Sequence, residues 1–300
     1  MRIGTRRSAL ALAQAELLAR LLGDCEIVPI VTSGDRGSGV EDKSRWVREL
    51  ELALARGEID LAVHSAKDVP GELAEGLQLL GAPSRAAAED VICGAVSVAD
   101  LPAGARIGTS SIRRAAQLRA TRPDLELVPI RGNVDTRLRK LADPALGLAA
   151  IVLARAGLQR LGRESEVGGV LDAGRFVPAP GQGIIALEGR TEDSTARDAV
   201  LAITDPEAFT CLLCERALAL ELQASCHTPL GAYARRSGEQ GLRLSAWVGL
   251  PDGSAWIADE LLGDLQSPEE LGRAVARRVR AVGGVDLLRG AEEMAGVGGG

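Results

Sequence analysis

Arg2-Ile3-Gly4-Thr5 recurs as Arg106-Ile107-Gly108-Thr109, and Glu26-Ile27-Val28-Pro29-Ile30 recurs as Glu126-Leu127-Val128-Pro129-Ile130. Each copy reads as a pair of short buried strands, and an internal repeat organises everything around it. A helical pattern follows each Arg-Ile-Gly-Thr. In the first copy Ser8 stands at the N-cap, Leu10, Leu17 and Leu21 share a face, and Gly23 lies past the end. In the second, Ser110 or Ser111 opens a helix that runs to about Arg119 and stops before Pro123. An apolar strand closes each unit, at 60–64 and at 147–153. Continuous apolar runs of this kind suit parallel strands covered on both faces. Between the strands lie helical stretches at 45–56, closed by Gly57, and at 135–141, closed near Pro144. Strand–helix–strand–helix–strand, occurring twice, predicts an α/β protein with two similar doubly wound domains.

Outward from the repeat, Val177-Pro178-Ala179-Pro180-Gly181-Gln182-Gly183 breaks the pattern and reads as a hinge or crossing segment. A third unit begins near Thr204, with a helix over 208–221 and a loop over 224–231. Strands at 242–250 and 255–262 follow, joined by a hairpin turn at Pro251-Asp252-Gly253-Ser254. Ser267-Pro268-Glu269-Glu270 predicts a capping box that opens a last helix to about Val282, and the tail ending in Gly298-Gly299-Gly300 is expected to be disordered.

The chain of 300 residues carries a net charge of −6, which does not favour nucleic acid as a general partner. Residues 106–140 nevertheless hold nine basic and three acidic side chains, a local +6 that leaves −12 for the rest. A basic island in an acidic chain points to a confined anion site. The basic residues are almost all arginine, with lysine only at Lys43, Lys67 and Lys140. Five cysteines and two histidines argue against a disulfide framework and against a metal site. Cys211 and Cys214 read as two thiols on one helical turn. The start has no signal-peptide pattern, and no apolar run approaches the ~20 residues of a membrane span. The expected partner is therefore a small anion in the cytoplasm, not nucleic acid or membrane.

The ends of the predicted strands carry the chemistry. Thr5-Arg6-Arg7-Ser8 follows the first strand and Thr109-Ser110-Ser111-Ile112-Arg113-Arg114 follows its twin. Hydroxyls and guanidiniums at a helix N-terminus hold anions through free N–H groups, the helix dipole and bidentate forks. Ligands of open α/β sheets bind beyond the carboxyl ends of the strands. His64-Ser65-Ala66-Lys67-Asp68 closes another strand, and Asp68 is either a carboxylate that stabilises a cation and moves a proton or a cap on the turn before Pro70. Cys226 is either a buried inert thiol or a nucleophile or covalent anchor.

Seven motifs in order resemble the porphobilinogen deaminase family, from Arg2 to about Val282. They are Arg-Ile-Gly-Thr-Arg-Arg-Ser at 2–8, Ala-Val-His-Ser-Ala-Lys-Asp-Val-Pro at 62–70, Gly-Thr-Ser-Ser-Ile-Arg-Arg at 108–114, Arg-Gly-Asn-Val-Asp-Thr-Arg-Leu at 131–138, Ala-Gly-Leu-Gln-Arg-Leu-Gly at 156–162, Pro-Gly-Gln-Gly at 180–183 and Cys-His-Thr-Pro-Leu-Gly at 226–231. The resemblance implies two periplasmic-binding-protein-like domains, 1–83 with 184–203 and 84–183, plus a small C-terminal α/β domain, 204–300.

It further implies a dipyrromethane cofactor held by a thioether at Cys226, and a monomer. Four porphobilinogen molecules would condense head to tail with loss of ammonia, and water would release hydroxymethylbilane. Asp68 would be the catalytic acid/base. Lys67, Thr109, Ser110, Ser111, Arg113, Arg114, Arg131 and Arg137 would hold the cofactor; Arg6, Ser8, Lys43, Arg85, Arg160 and Gln182 would hold the substrate chain. The rival class is a non-catalytic two-domain anion-binding protein, which would need the arginines but neither Cys226 nor Asp68.

Overall fold

The computed structural model describes residues 1–31, 44–224, 228–294 and 296, with the side chains of 44–46 left aside. Its first sheet has the order β2-β1-β3-β10-β4, built from β1 (Arg2–Arg6), β2 (Glu26–Ile30), β3 (Leu61–Ser65), β4 (Leu77–Gly81) and β10 (Ile185–Arg190). The second has the order β7-β6-β8-β5-β9, built from β5 (Asp90–Cys93), β6 (Arg106–Gly108), β7 (Glu126–Val128), β8 (Ala150–Ala154) and β9 (Gly169–Val170). The two orders are the same under the repeat, and so is the register. Arg2 pairs with Glu26 and Ile3 with Ile27, as Arg106 pairs with Glu126 and Ile107 with Leu127.

The repeat glycine has a packing reason. A β-carbon on Gly4 would lie 2.3 Å from Ile59 Cδ1, and one on Gly108 would lie 2.8 Å from Ile130 Cδ1. In each domain the apolar residue that packs over the first strand reaches its backbone.

The helices follow their caps. Ser8 accepts from Ala11 N (3.3 Å) to start α1 (Ala9–Leu22), which ends at Gly23 with φ 89°. Ser111, rather than Ser110, caps α3 (Ile112–Thr121). Asn133 caps α4 (Val134–Leu141) through Thr136 N at 2.9 Å. Helices α2 (Ser44–Ala55), α5 (Arg155–Arg160) and α6 (Ser194–Ile203) complete the layers. In the first domain Ile3, Leu18, Leu61 and Leu187 fill one face of the sheet, and Leu50, Leu54 and Ile59 the other. In the second Ile107, Leu118 and Val152 oppose Ile130, Ile151 and Leu158.

Each sheet departs from the all-parallel expectation at one place. β10 runs antiparallel between β3 and β4, and β5 runs antiparallel between β8 and β9. β5 is the first strand after the chain crosses to the second domain, and β10 the first after it crosses back. The stretch 177–183 is thus one of two adjacent crossings, the other being 82–89.

The third unit is a three-stranded antiparallel sheet, β11 (Leu230–Ser237), β12 (Gly241–Gly249) and β13 (Trp256–Asp264), packed under α7 (Pro206–Glu221) and α8 (Pro268–Ala281). Three expectations change here. The strand β11 replaces part of the predicted loop. Ser267 makes no side-chain cap to α8, whose first turn begins with Pro268. A further helix, α9 (Gly284–Met294), extends the chain beyond the expected last helix; the glycines at 298–300 lie outside the described residues. Cys211 and Cys214 are buried one turn apart on α7, and burial pushes the Cys211 thiol up to about 12. The unit touches the second domain where Arg119 Nη1 donates to Pro251 O at 2.7 Å. Among the described residues no helix is long and apolar enough to cross a membrane.

Gly4→Ala should destabilise the protein by about 1–3 kcal/mol, since the added carbon overpacks against Ile59. Chemical denaturation measures it, and Ile59→Val should return part of the loss.

Candidate functional site

The strand ends of the two domains face one another. Leu10, in the first turn after β1, reaches to within 4 Å of a β-carbon built on Gly157, in the first turn after β8. Behind this junction lies a buried ion cluster. Asp90 opens β5 and is 1% exposed. Arg113 Nη2 donates to its Oδ2 at 2.8 Å and Arg114 Nε to its Oδ1 at 3.0 Å. Gln182, from the returning crossing, donates Nε2 to Asp90 Oδ1 at 2.8 Å and to Ala88 O at 2.6 Å. Arg113 also donates to Val177 O, and Arg114 to Val152 O.

Burial alone would push the Asp90 carboxyl up, but Arg113 and Arg114 together hold it well below the usual carboxylate range. Burial in turn lowers the pKa of Arg113. Two guanidiniums against one carboxylate leave a surplus positive charge in a dry place. Arg113 Nε, Gln117 Oε1 and Gln182 Oε1 are buried there without a hydrogen-bond partner among the described residues.

The hydroxyls serve the local backbone. Thr109 Oγ1 accepts from Ser111 N at 3.2 Å, Ser110 Oγ donates to Ile130 O at 2.5 Å, and Ser111 Oγ accepts from Arg114 N at 3.4 Å. They shape the turn at the end of β6 so that α3 starts with its arginines directed inward. Arg131 is exposed at the loop before α4, and Arg137 Nε donates to Gly132 O at 2.7 Å. In the first domain Arg6 is half-buried at the end of β1.

Asp68 ends a 3-10 turn, Ala66–Asp68, directly after β3. It is half-buried, and among the described residues it has no hydrogen-bond or ion-pair partner. Lys67 is half-buried beside it. His64, from the same motif, points the other way, and its Nε2 meets the buried Glu188 Oε2 of β10 at 2.8 Å.

Arg85 and Gln182 sit in the crossings, each held by protein groups rather than open to a ligand. Arg85 Nη1 donates to Glu215 Oε1 at 2.7 Å, its Nε to Gln182 O at 2.9 Å, and its guanidinium lies 5.0 Å from the Tyr233 ring centre. Burial opposes the Arg85 charge, but the Glu215 carboxylate outweighs it and raises its pKa. Glu215, on α7, is fully buried and also accepts from Gly181 N at 2.6 Å and Ala234 N at 2.7 Å, so it grips both crossings. Arg160 Nη2 donates to Gly183 O at 2.6 Å, and it has no carboxylate partner among the described residues. Burial lowers its pKa to about 10. Lys43 and Cys226 lie outside the described residues.

The structure thus gathers Arg113, Arg114 and Gln182 on Asp90, with Arg160 beside the returning crossing. Sequence reading missed Asp90, Glu215 and Glu188. Each acid lies 23 to 130 positions along the chain from its partner, and only a lone carboxylate in an apolar run, as in Ile184-Ile185-Ala186-Leu187-Glu188, signals such a role.

Fold and site together define an α/β protein of two similar sheet domains and a third antiparallel unit, with a buried cationic cluster where the chain crosses between the first two. The family model for "Porphobilinogen deaminase, dipyromethane cofactor binding domain" matches residues 1–198, and that for "Porphobilinogen deaminase, C-terminal domain" matches residues 209–281. A porphobilinogen deaminase of Thermus thermophilus is 42% identical over 294 residues, covering 95% of this chain and 97% of that one. One of Geobacter metallireducens is 43% identical over 300 residues, covering 96% and 93%. Among solved structures the methionine-binding protein MetQ covers 70% of this chain and 89% of its own, at 14% identity and a TM-score of 0.42. The chain belongs to the porphobilinogen deaminase family. It is a transferase that forms hydroxymethylbilane from porphobilinogen with a dipyrromethane cofactor. The surplus cation at Asp90 and the uncompensated Arg160 fit a group that bears carboxylates.

Asp90→Asn would leave two buried guanidiniums without a counter-charge, and should cost about 3–5 kcal/mol in denaturant unfolding. The folded Asp90 pKa lies below the unfolded value of about 3.9, so its stabilisation is complete above that pH and is lost as pH falls through the lower value. Wild-type acid unfolding should therefore be steeper than that of Asp90→Asn.

Proposed function

We propose that Asp68 is the acid/base of the condensation and that the arginines of the facing domain hold the anionic chain. What carries the reading is the half-buried Asp68 carboxylate, without a partner among the described residues, at a strand end of the domain facing the cationic cluster. The buried carboxylates of the region each have a hydrogen-bonding side chain on them: Asp90 has Arg113 and Arg114, Glu215 has Arg85, and Glu188 has the His64 ring.

The dipyrromethane group, bound through a thioether at Cys226, supplies the first rings of the growing chain. Arg113, Arg114, Arg131 and Arg137 would hold its acetates and propionates with Lys67, while Thr109, Ser110 and Ser111 fix the turn that aims the two α3 arginines. Arg6, Ser8, Lys43 and Arg160 would hold the incoming ring. Guanidinium forks suit this task because each ring adds two carboxylates, and a buried carboxylate must be paired. Arg85 and Gln182 are better suited to fixing the crossings than to touching substrate.

Porphobilinogen must lose its amino group as ammonia, leaving a cation spread over the pyrrole. Asp68 stabilises that positive charge with its fixed carboxylate. The bound group would supply the free α-carbon to which the substrate's methylene joins, and that carbon would give up its proton as the bond is made. Asp68 accepts this proton and returns it to solvent or to the next leaving amine. One carboxylate can serve every cycle if the chain is drawn past it as the domains shift about the crossings.

The three units, 1–83 with 184–203, 84–183 and 204–300, would act as acid side, arginine side and anchor. We propose that the protein works as a cytoplasmic monomer without nucleic acid or membrane. Asp68→Asn should lower kcat by about 10²–10⁴-fold while the protein keeps its fold and its cofactor. Near-normal turnover of this variant would sink the assignment.

A further inference from the structure

The loop that carries Asp68 is docked on α7, the helix that leads into the segment bearing Cys226. The docking uses one stripe of that helix, at Leu212, Arg216 and Leu220, each four residues from the next and so on one face. Leu212 is fully buried in a cluster with Ala66 and Val69, which flank Lys67 and Asp68. A β-carbon on Gly71 would lie 2.8 Å from Leu220 Cδ2, so the loop backbone lies against the helix there. Between them Arg216 Nη2 donates to Pro70 O at 2.9 Å and to Gly71 O at 2.7 Å, and Nη1 reaches Val69 O at 3.5 Å.

Three consecutive carbonyls after Asp68 thus converge on one guanidinium. Pro70 has no N–H, so carbonyls are the handles this stretch offers. Arg216 makes no ion pair or carboxylate hydrogen bond among the described residues. Its planar fork is directed wholly at backbone, a geometry that sets position rather than charge balance. The preceding residue, Glu215, holds the crossing at Gly181 N. Two adjacent side chains of one helix therefore hold the Asp68 loop and the domain crossing.

We infer that Arg216 is a positioning residue for Asp68, acting through the Val69–Gly71 backbone and not through contact with substrate. This rests on Asp68 being the acid/base. It also means that the carboxylate and the stem of the anchor form one rigid body.

The test is a double-mutant comparison on the cofactor-loaded protein, with loading checked by intact mass and folding by thermal unfolding. Arg216→Ala should lower kcat by about 10–100-fold, the scale of a carboxylate misplaced by an ångström, with KM for porphobilinogen changed less than twofold. Arg216→Lys, which keeps a donor for one or two carbonyls, should recover part of the loss. In an Asp68→Asn background Arg216→Ala should cost nothing further, because the two act through one group.

An equal loss in both backgrounds, a change in KM alone, or unchanged turnover in Arg216→Ala would each overturn the positioning role while leaving the role of Asp68 intact. Near-normal turnover in Asp68→Asn alone would instead remove the reading on which the inference stands.

Discussion

Two guanidiniums on one buried carboxylate set the conditions for the rest of this molecule. Arg113 and Arg114 leave α3 from its first turn and close on Asp90, which is 1% exposed. Inside a protein such a cluster tolerates no missing partner, and it leaves a positive charge over. An anion of carboxylates would answer that surplus. The same cluster binds the architecture, because Asp90 opens the strand that has just crossed from the first domain, while Gln182 reaches it from the segment that crosses back. Charge for the ligand and geometry for the crossings are one arrangement.

A second carboxylate, Glu215, does for the third unit what Asp90 does for the second. It collects Arg85 from one crossing, Gly181 N from the other and Ala234 N from its own sheet. A protein that must move an elongating chain needs domains that shift without losing register. Fixing both crossings at one buried point confines that motion to the rest of the interdomain surface. Asp68, on the other hand, is left with a half-buried carboxylate and a backbone held from α7. The proposed division of labour rests on these environments, with the arginines to answer anions and the carboxylate to answer a transient cation.

Much of this was legible in the sequence, for physical reasons that can be named. The Arg-Ile-Gly-Thr repeat survived as a repeat of register, because the same glycine must admit a packed isoleucine in both domains. The cap at Ser8 was legible, and that of α3 to within Ser110 or Ser111, because local hydrogen bonds leave local signatures. The antiparallel strands β5 and β10 were not, since a short apolar run carries no direction and each pairs with strands far along the chain. The orientation of Arg85 and Gln182 toward protein groups was hidden for the same reason, as was the grip of Arg216 on residues 69–71, a separation of 145 to 147 positions. The family motifs supplied the candidate residues. The structure distinguishes those at the strand ends from those that hold the crossings.

The central claim is that this chain carries a covalent pyrrole primer and extends it. Intact-mass spectrometry of the purified protein, before and after brief incubation with porphobilinogen, tests it most directly. The expected result is a mass above the bare polypeptide by a dipyrromethane, absent in Cys226→Ala, and then a ladder of single-pyrrole increments with substrate. A bare polypeptide mass that stays unchanged with porphobilinogen would contradict it.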